Sequence, residues 1–244
     1  MRTVHLGPLV GLMGQFMLVG WLGERFGLGP VGCLAGVAYG VVILLLLVRG
    51  LDRAGTTTLG AANAVTLTRA TLVGGVTALV VDGFVRAVPV PVTAVVALAA
   101  VALLLDGVDG QVARRTGTVS VLGARFDMEV DAYLILVLSV AVGRSVGWWV
   151  LLIGAAYYAH VVAGWVLPWL RATVPPRYWR KPVAATQGIV LTLAVSELLP
   201  APMIIVLLTV ALILLAESFG RDDLWLWRRI RQPEPQLVWI AARG

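Results

Sequence analysis

Long apolar segments alternate with short polar ones along most of the chain. Two apolar segments, at about residues 4–22 and 30–48, come first, and a polar linker at residues 54–60 separates them from the rest. Segments of this length span the hydrocarbon core of a bilayer as helices, and they lack the alternation that is typical of barrel strands. The pattern therefore predicts two N-terminal membrane helices and a module boundary near residue 60.

Six further helices are expected after this linker. Asn63 can cap the first of them, and the prolines of a basic loop at residues 171–182 prevent a continuous helix there. The six helices are predicted at about residues 63–81, 89–115, 118–142, 146–170, 183–199 and 202–219. The sequence thus predicts an all-α integral membrane protein of about eight helices, divided into a two-helix extension (1–60), a six-helix core (61–220) and an interfacial tail (221–244).

The composition and the charge distribution support a membrane location. Of the 244 residues, 59% are hydrophobic and 13% are charged, and the net charge is +6. The basic residues lie between apolar segments, which favours contacts with anionic lipid headgroups over binding of nucleic acid. All but three of the 19 Lys and Arg residues lie on the predicted side of both termini, the exceptions being Arg25, Arg86 and Arg144. The termini and the acidic segment are therefore expected to face the cytoplasm of a bacterial-type inner or plasma membrane.

Four aspartates form a regular pattern in this apolar chain. Asp106 and Asp109 lie near the end of the second core helix, and Asp127 and Asp131 lie on the third. Ionised groups at membrane depth are costly unless they are paired or bound to metal. Residues three and four apart share a helix face, and Asp106 and Asp127 lie at similar distances from the intervening turn. The two acidic faces are therefore predicted to converge.

Converging carboxylates favour a metal site. Four carboxylates in one cleft raise each other's pKa unless cations lie between them, and Mg²⁺ and Mn²⁺ prefer oxygen ligands. Such ions often share their coordination with a substrate diphosphate, while a remaining carboxylate can act as a general base. The small residues Gly110, Ala113 and Gly123 allow a nucleotide or a helix to approach closely, and Arg114 can bind phosphate through its guanidinium fork.

Together these residues form a pattern that resembles the signature of the CDP-alcohol phosphatidyltransferase family. Its two halves, separated by eight residues, read Asp106-x-x-Asp109-Gly110-x-x-Ala113-Arg114 and Gly123-x-x-x-Asp127-x-x-x-Asp131. A further segment, similar to one often found at the start of the family's six-helix core, reads Asn63-x-x-Thr66-x-x-Arg69. The resemblance implies transfer of a phosphatidyl or other phospho-alcohol group from a CDP-alcohol, often CDP-diacylglycerol, to an acceptor hydroxyl, with release of CMP.

The resemblance also implies roles for individual residues. Asp106, Asp109 and Asp127 would bind metal, and Asp131 would contact a second metal ion and serve as the base. The CDP-binding residues would be Gly110, Ala113, Arg114, Gly123, Asn63 and Thr66. The implied cofactors are two Mg²⁺ or Mn²⁺ ions, and the implied partners are the donor, a small alcohol, membrane lipids and a second copy of the chain.

Several points stay open at this stage. An intramembrane prenyltransferase also binds diphosphates through aspartates, and a cation transporter also carries buried carboxylates. The acceptor alcohol is undetermined, and the basic residues of the 171–182 loop serve either acceptor binding or membrane orientation. Arg125 and Glu129 lie about 200° around the helix from Asp127, so we expect them to form a structural pair at a helix or subunit contact.

Overall fold

The computed structural model describes residues 6–54, 61–116, 120–172 and 180–231. Within these ranges the chain forms eight α-helices and no strand, which confirms the predicted all-α class. The helices are α1 (Leu6–Phe26), α2 (Pro30–Ala54), α3 (Ala61–Val85), α4 (Val92–Thr116), α5 (Val121–Val146), α6 (Leu151–Val166), α7 (Arg180–Val195) and α8 (Ala201–Arg231). Of the predicted linker, Ala54 is the last residue of α2, and residues 55–60 lie outside the described residues.

Four segments of the described helices are long and apolar enough to cross a membrane. They are Pro30–Arg53, Asn63–Val85, Trp148–Val166 and Ala201–Arg229. Shorter apolar segments lie in α4 and α7, at Val92–Val108 and Pro182–Val195. The protein is therefore an integral membrane protein, while the crossing of the bilayer by the remaining helices stays a prediction.

Several predicted helix boundaries were wrong, among them both ends of the fourth core helix and the end of the last helix. A single helix was expected over residues 146–170, but Gly147 has a positive φ of 127°, and 3₁₀ turns flank α6 on both sides. Pro168 begins the second turn, because proline has no N–H for a helical hydrogen bond. The last helix was expected to end near residue 219, but α8 continues to Arg231, with an ion pair of 2.6 Å between Glu217 and Arg221 across the predicted end.

The N-terminal hairpin, formed by α1 and α2, packs closely on α3. A Cβ atom added at Gly36 would lie 2.9 Å from the Ala78 Cβ and 3.0 Å from the carbonyl oxygen of Gly74. Small residues allow helices in a membrane to approach this closely. The hairpin residues Leu22 and Leu47 also belong to one hydrophobic core with residues of α3 to α8. The extension and the predicted six-helix core therefore share their packing.

A buried carboxylate fixes the turn of the hairpin to the end of α3. Asp82 accepts a hydrogen bond of 2.7 Å from the Gly29 N–H and forms an ion pair of 3.1 Å with Arg86. Arg86 also donates a hydrogen bond of 2.6 Å to the Gly27 carbonyl. Because these partners compensate the buried charge, Asp82 can bind the α1–α2 turn at this depth.

We expect Gly36→Leu to lower the thermal unfolding temperature of the purified protein by separating α2 from α3. A matched control is Gly20→Ala on α1, because a Cβ atom at Gly20 would have no neighbour within 4 Å. Alanine is favoured over glycine inside a helix by about 0.8–1 kcal/mol, so the control should not lower that temperature. Equal unfolding temperatures for Gly36→Leu and the unaltered protein would contradict the packing described here.

Three core helices determine where the candidate site lies. Helix α3 packs against α4 and α5, and α5 begins with Ser120 as its N-cap, whose hydroxyl accepts a hydrogen bond of 2.9 Å from the Gly123 N–H. Helices α3 and α5 begin, and α4 ends, at the same end of the bundle, which we call the carboxylate end.

Candidate active site

A buried arginine joins three carboxylates from two helices. Arg69 of α3 donates hydrogen bonds through Nη1 to Asp127 and through Nη2 to Asp131, both on α5. Its Nη2 atom lies 3.0 Å from Oδ1 of Asp106 on α4, and its Nε donates a 3.1 Å hydrogen bond to the Ala102 carbonyl. One guanidinium therefore connects α3, α4 and α5.

Asp106, Asp127 and Asp131 form the carboxylate cluster. Each offers an oxygen atom, and these three atoms lie within 4.8 Å of one another. Their side chains are 36%, 35% and 28% exposed, whereas the Arg69 side chain is 1% exposed. The arginine therefore lies behind the carboxylates. The donor set fits a divalent metal, because carboxylate oxygens are the preferred ligands of Mg²⁺ and Mn²⁺ and the four groups together carry a formal charge of −2.

The structure thus brings together three of the four aspartates that the sequence singled out. The backbone of α4 carries Asp109, Gly110, Ala113 and Arg114 towards the carboxylate end, but their side chains lie outside the described residues. The predicted roles of these four residues in metal and nucleotide binding therefore stay predictions.

Asn63, Thr66 and Arg69 are spaced three residues apart on α3. They lie on the side of this helix that faces α5. A Cβ atom added at Gly123 would lie 2.7 Å from Oδ1 of Asn63, so the glycine leaves room for the carboxamide. Thr66 is buried one turn further along α3. The candidate site therefore extends from Asn63 and Gly123 at the carboxylate end down to Arg69, and the predicted contact of Asn63, Thr66 and Gly123 with a nucleotide stays a prediction.

Comparison with protein families identifies the domain that contains this site. The model of the CDP-alcohol phosphatidyltransferase family matches residues 59–216, which is more than half of the chain. The chain belongs to this family. Comparison with curated proteins and with solved structures gave no match.

Membership of the CDP-alcohol phosphatidyltransferase family assigns a class of reaction. The protein is a membrane transferase that takes its phospho group from a CDP-alcohol and passes it to an alcohol acceptor. The family typically depends on divalent metal ions, which agrees with the donor set of the carboxylate cluster.

Sequence reasoning missed the position of Arg69 in this phosphatidyltransferase site. We placed Arg69 among the basic residues that orient the chain and in the Asn63-x-x-Thr66-x-x-Arg69 segment without assigning it a role in the site, although an arginine inside an apolar helix is itself a sign of function. The available signal was its spacing, since Arg69 lies six residues after Asn63 and three after Thr66, on the same face of α3. The partners of Arg69 could not be predicted from that spacing.

Glu129 lies between two cluster residues in sequence but contacts a different helix. The Tyr157 hydroxyl of α6 donates a hydrogen bond of 2.7 Å to Oε1 of Glu129. Asp127 and Asp131 instead bind Arg69 of α3. Glu129 therefore connects α5 to α6 through Tyr157, and its expected pairing with Arg125 stays a prediction.

We expect Glu129→Ala to lower the thermal unfolding temperature and to leave the affinity for Mn²⁺ nearly unchanged, because the hydrogen bond to α6 is lost while the carboxylate cluster is retained. Calorimetric titration with Mn²⁺ and thermal unfolding would measure the two quantities. Tyr157→Phe is the matched variant on α6. It removes the same hydrogen bond and should change the two quantities in the same way. Preserved stability with lost Mn²⁺ binding would contradict a structural role for Glu129.

Proposed function

We propose that the protein transfers a phosphatidyl group from CDP-diacylglycerol to a small alcohol and releases CMP, in phospholipid biosynthesis. The observation that carries the proposal is the meeting of Asp106, Asp127 and Asp131 around Arg69, inside the family domain. The family match favours this reaction over the prenyltransferase and cation-transporter alternatives.

The carboxylate cluster would hold divalent metal. Asp106, Asp127 and Asp131 supply oxygen ligands from two helices, and Asp109 is expected to add a fourth carboxylate from α4. Two bound Mg²⁺ or Mn²⁺ ions would neutralise negative charge on the donor diphosphate and on the departing CMP. Arg69 keeps the three carboxylates at one depth by binding each of them from behind.

Asp131 is the proposed general base. Its carboxylate would take the proton from the acceptor hydroxyl, whose oxygen then forms a bond to the lipid-linked phosphorus of the donor. The bond between this phosphorus and the oxygen bridging to CMP breaks, and CMP leaves with the electron pair. The hydrogen bond from Arg69 to Asp131 fixes the orientation of the base. Asn63, Thr66 and Gly123 would bind the nucleotide, together with Gly110, Ala113 and Arg114.

We also propose an orientation and an assembly. We expect the carboxylate end and both termini to face the cytoplasm, because most basic residues lie on that side of the predicted topology. The family resemblance further implies a homodimer.

The test is incubation of the purified protein with CDP-diacylglycerol, Mn²⁺ or Mg²⁺, and a panel of acceptors that includes glycerol phosphate, inositol phosphate and serine. CMP and one phospholipid product should appear together, and EDTA should prevent both. CMP release only with a different CDP-alcohol would replace the proposed donor. Absence of CMP from every CDP-alcohol tried with either metal ion would overturn the proposed reaction.

A further inference from the structure

Two polar side chains of the N-terminal hairpin are buried without partners. Gln15 of α1 is 1% exposed, and neither its amide nitrogen nor its amide oxygen has a hydrogen-bond partner among the described residues. Tyr39 of α2 is 7% exposed, and within the same part of the chain its hydroxyl also has none. Leaving a buried polar group unsatisfied costs about 1–3 kcal/mol, so a ligand that forms hydrogen bonds with these groups would stabilise the folded protein.

Two glycines make room for the Gln15 side chain. A Cβ atom added at Gly40 of α2 would lie 2.6 Å from its Cγ, and one added at Gly74 of α3 would lie 2.6 Å from its Cδ. Any larger residue at either position would displace the amide. The amide group is therefore enclosed between α2 and α3, where lipid and bulk water do not reach it.

Gln15 and Tyr39 line the same small cavity between α1, α2 and α3. The cavity leaves ≈ 10 Å³ for the centre of a water molecule, which is close to the space that one water requires. A buried water typically makes two to four hydrogen bonds. Thr71, which also lines the cavity, donates its own hydroxyl to the Leu67 carbonyl at 3.1 Å. The cavity is thus about the size of one water molecule, and Gln15 and Tyr39 both line it.

Tyr39 also connects this cavity to the carboxylate cluster. Its ring stacks on Tyr133 of α5, with ring centroids 4.4 Å apart and an interplanar angle of 23°. Tyr133 follows Asp131 by two residues on the same helix. A displacement of Tyr39 would therefore act on the segment of α5 that carries Asp131.

We propose that Gln15 and Tyr39 form a binding site for one water molecule, and that the N-terminal hairpin uses this site to position Asp131. The water accepts a hydrogen bond from the Tyr39 hydroxyl and donates one to the Gln15 amide oxygen. Held in this way, the Tyr39 ring supports Tyr133 and, through α5, the carboxyl group of Asp131. Tyr39 is thus a positioning residue, and this second part of the inference rests on the proposed function.

The sign of a stability change tests the water site. Methionine has nearly the volume of glutamine but no amide, so Gln15→Met removes the partners of a bound water. We expect the thermal unfolding temperature to fall. If the cavity bound no water, Gln15→Met would instead remove unsatisfied polar atoms and would leave that temperature equal or higher. An equal or higher unfolding temperature would overturn the water site.

A double-mutant cycle gives a second test. Tyr39→Phe keeps the stacked ring and removes the hydroxyl, so its cost in unfolding temperature should be smaller in the Gln15→Met background if both groups bind one water. Gln187 of α7 serves as the control, because it does not line this cavity: its amide nitrogen donates to the Ala211 carbonyl at 2.9 Å, and its amide oxygen has no partner among the described residues. Gln187→Met and Tyr39→Phe share no partner and should be additive. Additivity of Gln15→Met with Tyr39→Phe would contradict a shared water.

The affinity for Mn²⁺ tests the positioning role without requiring catalysis. Tyr39→Leu should weaken Mn²⁺ binding several-fold at a temperature well below unfolding, and Tyr39→Phe should retain most of it. Leu208→Ala on α8 is the control for a loss of buried volume, since α8 packs against α6 and α7. Unchanged Mn²⁺ affinity in Tyr39→Leu would overturn the positioning role. Failure of the unaltered protein to bind Mn²⁺ would instead contradict the proposed metal site, and the stability tests would still decide the water site.

Discussion

Replacing Asp131 by Asn should abolish CMP release while leaving binding of the CDP-alcohol largely intact. The amide keeps the shape of the side chain and can still accept a hydrogen bond from Arg69, but it cannot take a proton from the acceptor hydroxyl. General bases contribute about 10²–10⁴-fold to a rate, so turnover should fall by about 10²-fold or more. CMP release at saturating donor and acceptor measures turnover, and a thermal shift with a cytidine nucleotide measures binding.

Asp52→Asn is the matched control for this substitution. Asp52 is an exposed aspartate near the end of α2, and no proposed step uses it. The control should keep its CMP release and its nucleotide-induced thermal shift. Turnover of Asp131→Asn at the rate of the unaltered protein would remove Asp131 from the role of base, and loss of nucleotide binding as well would make it a ligand of the donor site.

The helical architecture could be predicted because each apolar segment carries its own signal. Length and hydropathy suffice to place a helix such as α2, and a polar or glycine-rich stretch suffices to separate it from the next. Helix ends were harder, because local competition determines them. Pro168 ended a helix that hydropathy alone would have continued, whereas Gly220 did not end α8.

The aspartates could be predicted from spacing, but their environment could not. Asp127 and Asp131 share a face of α5 by their separation of four residues, and this property is local. Arg69 reaches them across 58 and 62 positions of sequence, and such contacts depend on how α3 packs against α5. The burial of Gln15 between Gly40 and Gly74 depends in the same way on three helices, so no single segment signals it.

We expect Arg69→Met to destabilise the protein strongly in the absence of divalent metal, and to abolish CMP release. Methionine fills much of the space but leaves three neighbouring carboxylates without the guanidinium that binds all of them. Removing one partner of a buried ion pair costs about 3–5 kcal/mol, and the partial exposure of these carboxylates favours the lower end of that range. Thermal unfolding in EDTA measures the loss.

Added Mn²⁺ should restore part of the stability of Arg69→Met, because a divalent cation replaces positive charge between the same carboxylates and stabilises the folded state by mass action. Arg69→Lys should recover less stability than its charge suggests, since one ammonium cannot bind three carboxylates and the Ala102 carbonyl as the guanidinium fork does. The control is Arg221→Met, which removes an exposed arginine paired with Glu217 on α8 and should cost at most about 1 kcal/mol. If Arg69→Met unfolds in EDTA at the temperature of the unaltered protein, Arg69 does not organise the cluster. If the unfolding temperature of Arg69→Met is no higher with Mn²⁺ than in EDTA, the three carboxylates do not form the metal site.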